Sequence, residues 1–203
     1  MDWELIRQHL FCGSIPMMIF LLVYQGILFA KTKKQGMGHI ILAFVLCFYF
    51  IGILIMTGIW FRAAFSPRIV YIPFVDMIRG PLYAILNVFL FVPIGLFLPL
   101  LYKDFNRMWR IAAVGFLISL SVEIAQMFGT GTSDINDLIT NTVGACMGYA
   151  LFNVMRNIIP EKWMKNIQHG SRRSYFEIAL FWGLAFLIML TIQPIFYHRV
   201  FRS

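Results

Sequence analysis

Long apolar runs separated by short polar turns dominate this chain, and their spacing predicts helices rather than strands. A helix needs about 20 mostly apolar residues to cross the hydrocarbon of a bilayer. Six stretches meet or approach that length: Leu10–Ala30, Ile40–Phe61, Leu82–Tyr102, Ile111–Phe128, a fifth from Asp137 or Leu138 to about Val154, and Phe176–Tyr197. The fifth is the weakest, because Thr140, Asn141, Thr142, Gly144 and Gly148 dilute it. Alone it could pass for a buried helix of a soluble domain. The first run is too long for a cleavable signal peptide, and Asp2 and Glu4 precede it. Residues 161–168, after Pro160, read as a short basic helix with Trp163, Met164 and Ile167 as apolar contacts, suited to an anionic membrane surface. In 62–81, Pro67, Pro73, Gly80 and Pro81 break regular structure. Its apolar residues, Ile69 to Ile72 with Phe74 and Val75, predict a loop lying at or dipping into the membrane interface. The expected fold is all-α, a polytopic helical membrane protein of about six transmembrane helices in a single membrane domain, residues 1–203.

Composition narrows the function classes. Of 203 residues, 60% are hydrophobic and 13% charged, whereas an ordinary soluble domain is about a quarter charged. Disorder is excluded, and a soluble enzyme could not hide this much apolar surface in one core. The net charge of +8 would suggest nucleic acid, but the basic residues follow the loops rather than a stripe, so no nucleic-acid partner is expected. Lys31, Lys33, Lys34, Lys103, Arg107, Arg110, Arg156, Lys162, Lys165, Arg172 and Arg173 follow spans one, three and five. They outnumber Arg7, Arg62, Arg68, Arg79, Arg199 and Arg202 on the other side. The positive-inside rule then puts the first set in the cytoplasm and both termini outside the bacterial cell membrane.

The acids are few, and their placement carries the chemistry. Only Glu123, Asp137 and Glu177 fall within or at the edges of spans. Glu177 has a partner in reach, Arg173, four residues earlier on one helix face. Glu123 lies roughly 7–8 Å below the outer end of span four. At 100° per residue it shares an arc of about 80° with Ala112, Gly115, Ser119 and Gln126. Such a small, polar stripe is either a helix-packing seam or the wall of a wet cavity, since a carboxylate exposed to lipid costs several kcal/mol. Span five repeats the pattern with Asp134, Asp137, Asn141, Gly144 and Gly148, again within about 80°. Ser133 is the expected N-cap of that helix, with acids in its first turn. Gly144 and Gly148 form a G-x-x-x-G on which a neighbouring backbone can approach, consistent with the two stripes meeting. Span three adds Asn87 and then Pro93 and Gly95, the proline inviting a kink. Arg62, Arg68 and Arg79 belong to the same side, as partners for the acids, as anchors, or as ligands for an anionic head group.

Other chemistries are unsupported. Cys12, Cys47 and Cys146 lie in separate spans with no C-x-x-C, and His9, His39, His169 and His198 have no ligand spacing, so no metal site is expected. No phosphate-binding glycine loop, no nucleophile elbow and no inverted repeat occurs, and no cofactor is expected.

Three segments together resemble the VanZ-like family of bacterial membrane proteins: Asn87-Val-Phe-Leu-Phe-Val-Pro-Ile-Gly95, Ser119-Leu-Ser-Val-Glu-Ile-Ala-Gln126 and Asp134-Ile-Asn-Asp-Leu-Ile-Thr-Asn-Thr-Val-Gly144. The resemblance runs from about Ser66 to Tyr149, with the other spans flanking it. It marks Asn87, Pro93, Gly95, Glu123, Gln126, Asp134, Asp137, Asn141 and Gly144 as family-typical. Asn136 stands where the family often has Asp, and Gly131-Thr132-Ser133 replaces a commonly preceding Arg, so any basic partner for the acids falls to Arg62, Arg68 or Arg79. The resemblance implies low-level resistance to glycopeptide antibiotics, chiefly lipid-tailed teicoplanin-like ones. Two functions stay open. The first is a non-enzymatic outward polar pocket, built by the residues above, that hinders such drugs among membrane lipids. The second is an intramembrane enzyme or lipid handler acting on a lipid-linked phosphate or cell-wall precursor, with Glu123 and Asp134 or Asp137 as acid–base groups.

Overall fold

Wherever the apolar runs reach membrane length, the computed structural model is helical. It describes residues 3–32, 36–59, 65, 69–70, 72, 74, 80–128, 132–168 and 174–201. The helices are α1 (Trp3–Thr32), α2 (Met37–Met56), α3 (Pro81–Leu101), α4 (Met108–Gln126), α5 (Ile135–Met155), the short α6 (Glu161–Ile167), α7 (Ser174–Leu187) and α8 (Gln193–Phe201). A π-helical turn, Ile188–Ile192, joins α7 to α8 just before Pro194, so the two form one span of 28 residues. Proline cannot donate to the preceding turn, and widening the ladder there accommodates it. Among the described residues, six helices are long and apolar enough to cross a membrane, including the polar-diluted fifth, which runs 21 residues from Ile135. The only strands among the described residues are β1 (Ile69–Val70) and β2 (Ser133–Asp134), a parallel pair with Ile69 opposite Ser133 and Val70 opposite Asp134.

Side-chain contacts fix which ends lie together. Gly36 and Gly38, at the start of α2, meet Asn166 and Ile167 of α6 so closely that a Cβ on Gly36 would overlap the Asn166 carbonyl. Gln168 donates to the Pro99 carbonyl at 2.8 Å, and Ser174 Oγ donates to Asp104 Oδ2 at 2.5 Å. This is the basic end, with Lys103, Arg107, Arg110, Arg156, Lys162 and Lys165. At the opposite end Gln126 Nε2 donates to the Thr57 carbonyl at 3.0 Å and Asn87 reaches Asp137. Consecutive long helices therefore run in alternate directions, as six crossings require. The interior is filled by Phe50, Phe91, Phe105, Phe152 and Phe181, all fully buried. Large apolar side chains such as Leu22, Phe48, Phe89, Leu117 and Leu187 point outward; in a bilayer that face is solvated by lipid. Glu177 is buried and accepts the Tyr24 hydroxyl at 3.0 Å, while its expected partner Arg173 lies outside the described residues. Cys12, Cys47 and Cys146 are free thiols.

Candidate functional site

The site starts from the way α4 hands over to α5. Gln126 ends α4, and β2 leads into α5. Across this reversal Glu123 acts as a clasp. Its Oε2 accepts the Asp134 N–H at 2.8 Å, and its backbone carbonyl accepts Ser133 Oγ at 2.7 Å. Ser133 is therefore not the helix cap, as the sequence suggested. Asp134 is, with Oδ1 accepting the Asn136 N–H at 2.8 Å. The exchange has a physical reason: the buried turn needs a donor for the last carbonyls of α4, and a hydroxyl supplies one where a carboxylate cannot. Asp134 and first-turn Asp137 also sit where the helix dipole favours negative charge.

Asn136 extends the network sideways. Its Nδ2 donates to Asp134 Oδ1 at 2.8 Å, and its Oδ1 accepts the Phe74 N–H at 2.7 Å. Phe74 has φ 70°, a left-handed conformation that non-glycine residues rarely hold without support. With the β1–β2 pair, this contact lays described parts of the 62–81 connection over the start of α5. The rest of that connection, including Arg62, Arg68 and Arg79, lies outside the described residues.

Glycines then bring α3 against α5. A Cβ on Gly144 would overlap the Val88 carbonyl, one on Gly148 the Val92 carbonyl, and one on Gly95 the Ala145 carbonyl. The G-x-x-x-G thus receives the backbone of α3, with Gly95 reciprocating, rather than the stripe on α4. That stripe meets α5 beside it: Asn141 Nδ2 donates to Ser119 Oγ at 3.0 Å, and a Cβ on Gly115 would come within 2.7 Å of the Ala145 Cβ. Pro93 stays inside a continuous α3, and the Leu90 carbonyl near it accepts the Tyr49 hydroxyl. Close approach lets Asn87 Nδ2 donate to Asp137 Oδ1 at 2.6 Å.

A cavity of ≈ 550 Å³ lies beside this seam, between the first turns of α3 and of α5. Asn87, Asp134, Asn136, Asp137, Thr140 and Tyr83 are among its walls. Of the residues singled out from sequence, Asn87, Asp134 and Asp137 face the cavity. Glu123 and Asn141 are buried in the helix contacts beneath it, and Gln126 ties α4 to the end of α2. The Asn141 Oδ1 is buried with no hydrogen-bond partner among the described residues. Asn136, Tyr83 and Thr140 were missed. Asn136 had one available signal, its place between two acids at a helix start, where side chains bond locally to the backbone. The described walls are rich in carboxylate and amide oxygens, suited to a ligand bearing hydroxyl, amide or ammonium donors. No group of three His, Cys, Asp or Glu side chains among the described residues could hold a metal ion.

The family model described as VanZ/LLP1 matches residues 11–156, which takes in α1 to α5 almost entirely. Protein VanZ of Enterococcus faecium is 31% identical over 107 residues, covering 52% of this chain and 59% of that protein. No solved structure matches.

Proposed function

The chain belongs to the VanZ/LLP1 family, and on that premise we propose that this multi-pass membrane protein protects a bacterium against lipid-tailed glycopeptide antibiotics through an outward-facing polar pocket. The observation that carries the reading is the ≈ 550 Å³ cavity, whose walls Asn87, Asp134 and Asp137 come from the segments that mark the family resemblance. Its location supports the orientation. The cavity lies at the end opposite Lys103, Arg107, Arg110, Arg156, Lys162 and Lys165, and positive loops favour the cytoplasm. The protein then sits in the plasma membrane with both termini outside, its cavity on the side where glycopeptides meet cell-wall precursors. The pocket binds a polar part of the drug or of the precursor and hinders their encounter.

Expression in a susceptible bacterium tests this. The inhibitory concentration of teicoplanin should rise more than that of vancomycin, and surface labelling by a fluorescent lipoglycopeptide should fall. Equal protection against both drugs contradicts the reading. Exchange of Asp134→Asn together with Asp137→Asn should abolish the difference while leaving the protein in the membrane.

The enzymatic alternative keeps one supporting observation: Asp134 and Asp137 are two carboxylates on one cavity. Glu123 is a poor member of such a pair, because its carboxylate is engaged with the Asp134 N–H and is not among the cavity walls. An acid–base role therefore falls to Asp134 and Asp137. Altered lipid or wall-precursor composition on expression, lost in Asp137→Asn, would favour it.

A further inference from the structure

The side chains around the polar cavity between α3 and α5 have spent their donors and kept their acceptors. Asn87 Nδ2 donates to Asp137 Oδ1 at 2.6 Å, and Asn136 Nδ2 donates to Asp134 Oδ1 at 2.8 Å. The Thr140 hydroxyl is taken by the Asn136 and Asp137 carbonyls, at 2.9 and 3.2 Å. By contrast, Asp134 Oδ2, Asp137 Oδ2 and Asn87 Oδ1 accept no hydrogen bond among the described residues, and neither carboxylate has an ion-pair partner there. None of these three oxygens is a buried atom, so each can meet a ligand. Asp134 and Asp137, three residues apart, share one face of α5, and Asn87 is bonded to the second of them. Of the other described polar side chains on the walls, only the hydroxyls of Tyr83 and Thr132 remain able to donate as well as accept.

These features fix the sign of the occupant. The N-terminus of α5 alone would favour an anion, but Asp134 and Asp137 already put negative charge there. A phosphate would face two carboxylates and a row of acceptors, whereas an ammonium would find compensating charge and oxygens for its N–H groups. The volume of ≈ 550 Å³ suits a small organic group rather than a single ion. Tyr83 adds an exposed aromatic ring to the wall, a surface that cations favour.

We propose that the cavity takes a ligand carrying a protonated amine on a hydroxyl-bearing body, with the ammonium held between Asp134 and Asp137 beside Asn87 Oδ1. This assignment rests on the reading of the cavity as the protective site and gives its ligand a chemical class. The amine belongs either to the glycopeptide or to an envelope molecule that the drug must reach. The phosphate of a lipid-linked precursor is not the group held.

The full chain in phosphatidylcholine nanodiscs tests this. With the native cysteines replaced, Thr132→Cys carries a trifluoromethyl tag at the cavity edge, read by fluorine NMR. Three probes share one sugar: aminoethyl glucoside, its N-acetyl derivative and phosphoethyl glucoside. At neutral pH the amine should shift the tag saturably. The other two should bind roughly tenfold more weakly or worse, the worth of one hydrogen bond to a charged group. Asp134→Asn and Asp137→Asn each keep an Oδ1 able to accept the present bonds. Each should weaken the amine roughly tenfold while leaving thermal unfolding close to that of the parent. Equal binding of the N-acetyl derivative, tighter binding of the phosphate, or a response to calcium chloride in place of the amine would overturn the assignment. Amine binding untouched in both variants would also overturn it. Acetylating the amine of teicoplanin separates the two sources. Protection lost against the acetylated drug puts the amine on the drug; protection kept, with the amine probe still bound, puts it on an envelope molecule. Protection against teicoplanin without amine binding would remove the ammonium and spare the protective pocket. Amine binding without protection would remove the protective role alone.

Discussion

Exchange of Glu123 for glutamine and, separately, for alanine distinguishes a clasp from an acid–base group. In the structure Oε2 accepts the Asp134 N–H at 2.8 Å within a buried turn. Glutamine keeps the length and an amide oxygen able to accept the same bond. The loss is then the difference between a charge-assisted and a neutral hydrogen bond, about 1 kcal/mol or less. Alanine leaves the Asp134 N–H unpaired away from water, costing ~1–3 kcal/mol. It also leaves a cavity, adding about 1 kcal/mol or more. A total of about 2–4 kcal/mol corresponds to a roughly 30- to 700-fold fall in the folded-to-unfolded ratio. Reversible unfolding in detergent measures this, with the susceptibility ratio between teicoplanin and vancomycin recorded for the same variants. Glu123→Gln should stay within about 1 kcal/mol of the parent and keep its phenotype, and Glu123→Ala should lose both. Equal destabilisation by the two exchanges would refute the clasp geometry. A stable but inactive Glu123→Gln would instead show that the ionisable group itself is required.

Other consequences follow from single contacts. Gly148→Ala and Gly95→Ala should each destabilise by more than about 2 kcal/mol, because the new Cβ meets backbone rather than a movable side chain. Gly26→Ala and Gly52→Ala, with open space at the Cβ position, should be neutral or stabilise by up to ~1 kcal/mol, read by thermal unfolding in detergent. Asn136→Ala removes bonds to Asp134 Oδ1 and to the Phe74 N–H. It should cost about 2 kcal/mol and speed amide hydrogen exchange at Phe74; unchanged exchange there would contradict the account. Asn87→Leu removes the donor to Asp137 Oδ1 and should weaken protection against teicoplanin at normal membrane levels of the protein.

What could be read in advance was what depends on periodicity and length. The six spans followed from runs of apolar residues, and α5 starts two or three residues before its apolar run because the polar first turn, with Asn136 and Asp137, is already helical behind the Asp134 cap. The Ser119–Asn141 contact was legible because both residues lie on narrow polar arcs of otherwise apolar helices. The partner of the G-x-x-x-G was not. Glycines say that a backbone can approach, but nothing in Gly144 and Gly148 says whether it belongs to α3 or α4. Asn136 escaped because it lies off the Asp134–Asp137–Asn141 arc and acts through the cap and the Phe74 N–H. Tyr24 and Glu177 meet across 153 positions of sequence, a separation no local pattern reports.

For the proposed function the cavity between α3 and α5 must open to the outside of the cell. Thr132 is exposed at its edge, and Lys165 is exposed at the opposite end. With the native cysteines replaced, Thr132→Cys should react with a membrane-impermeant thiol reagent on intact cells, and Lys165→Cys only after permeabilisation. Labelling of Lys165→Cys on intact cells, with Thr132→Cys protected until permeabilisation, would contradict the account.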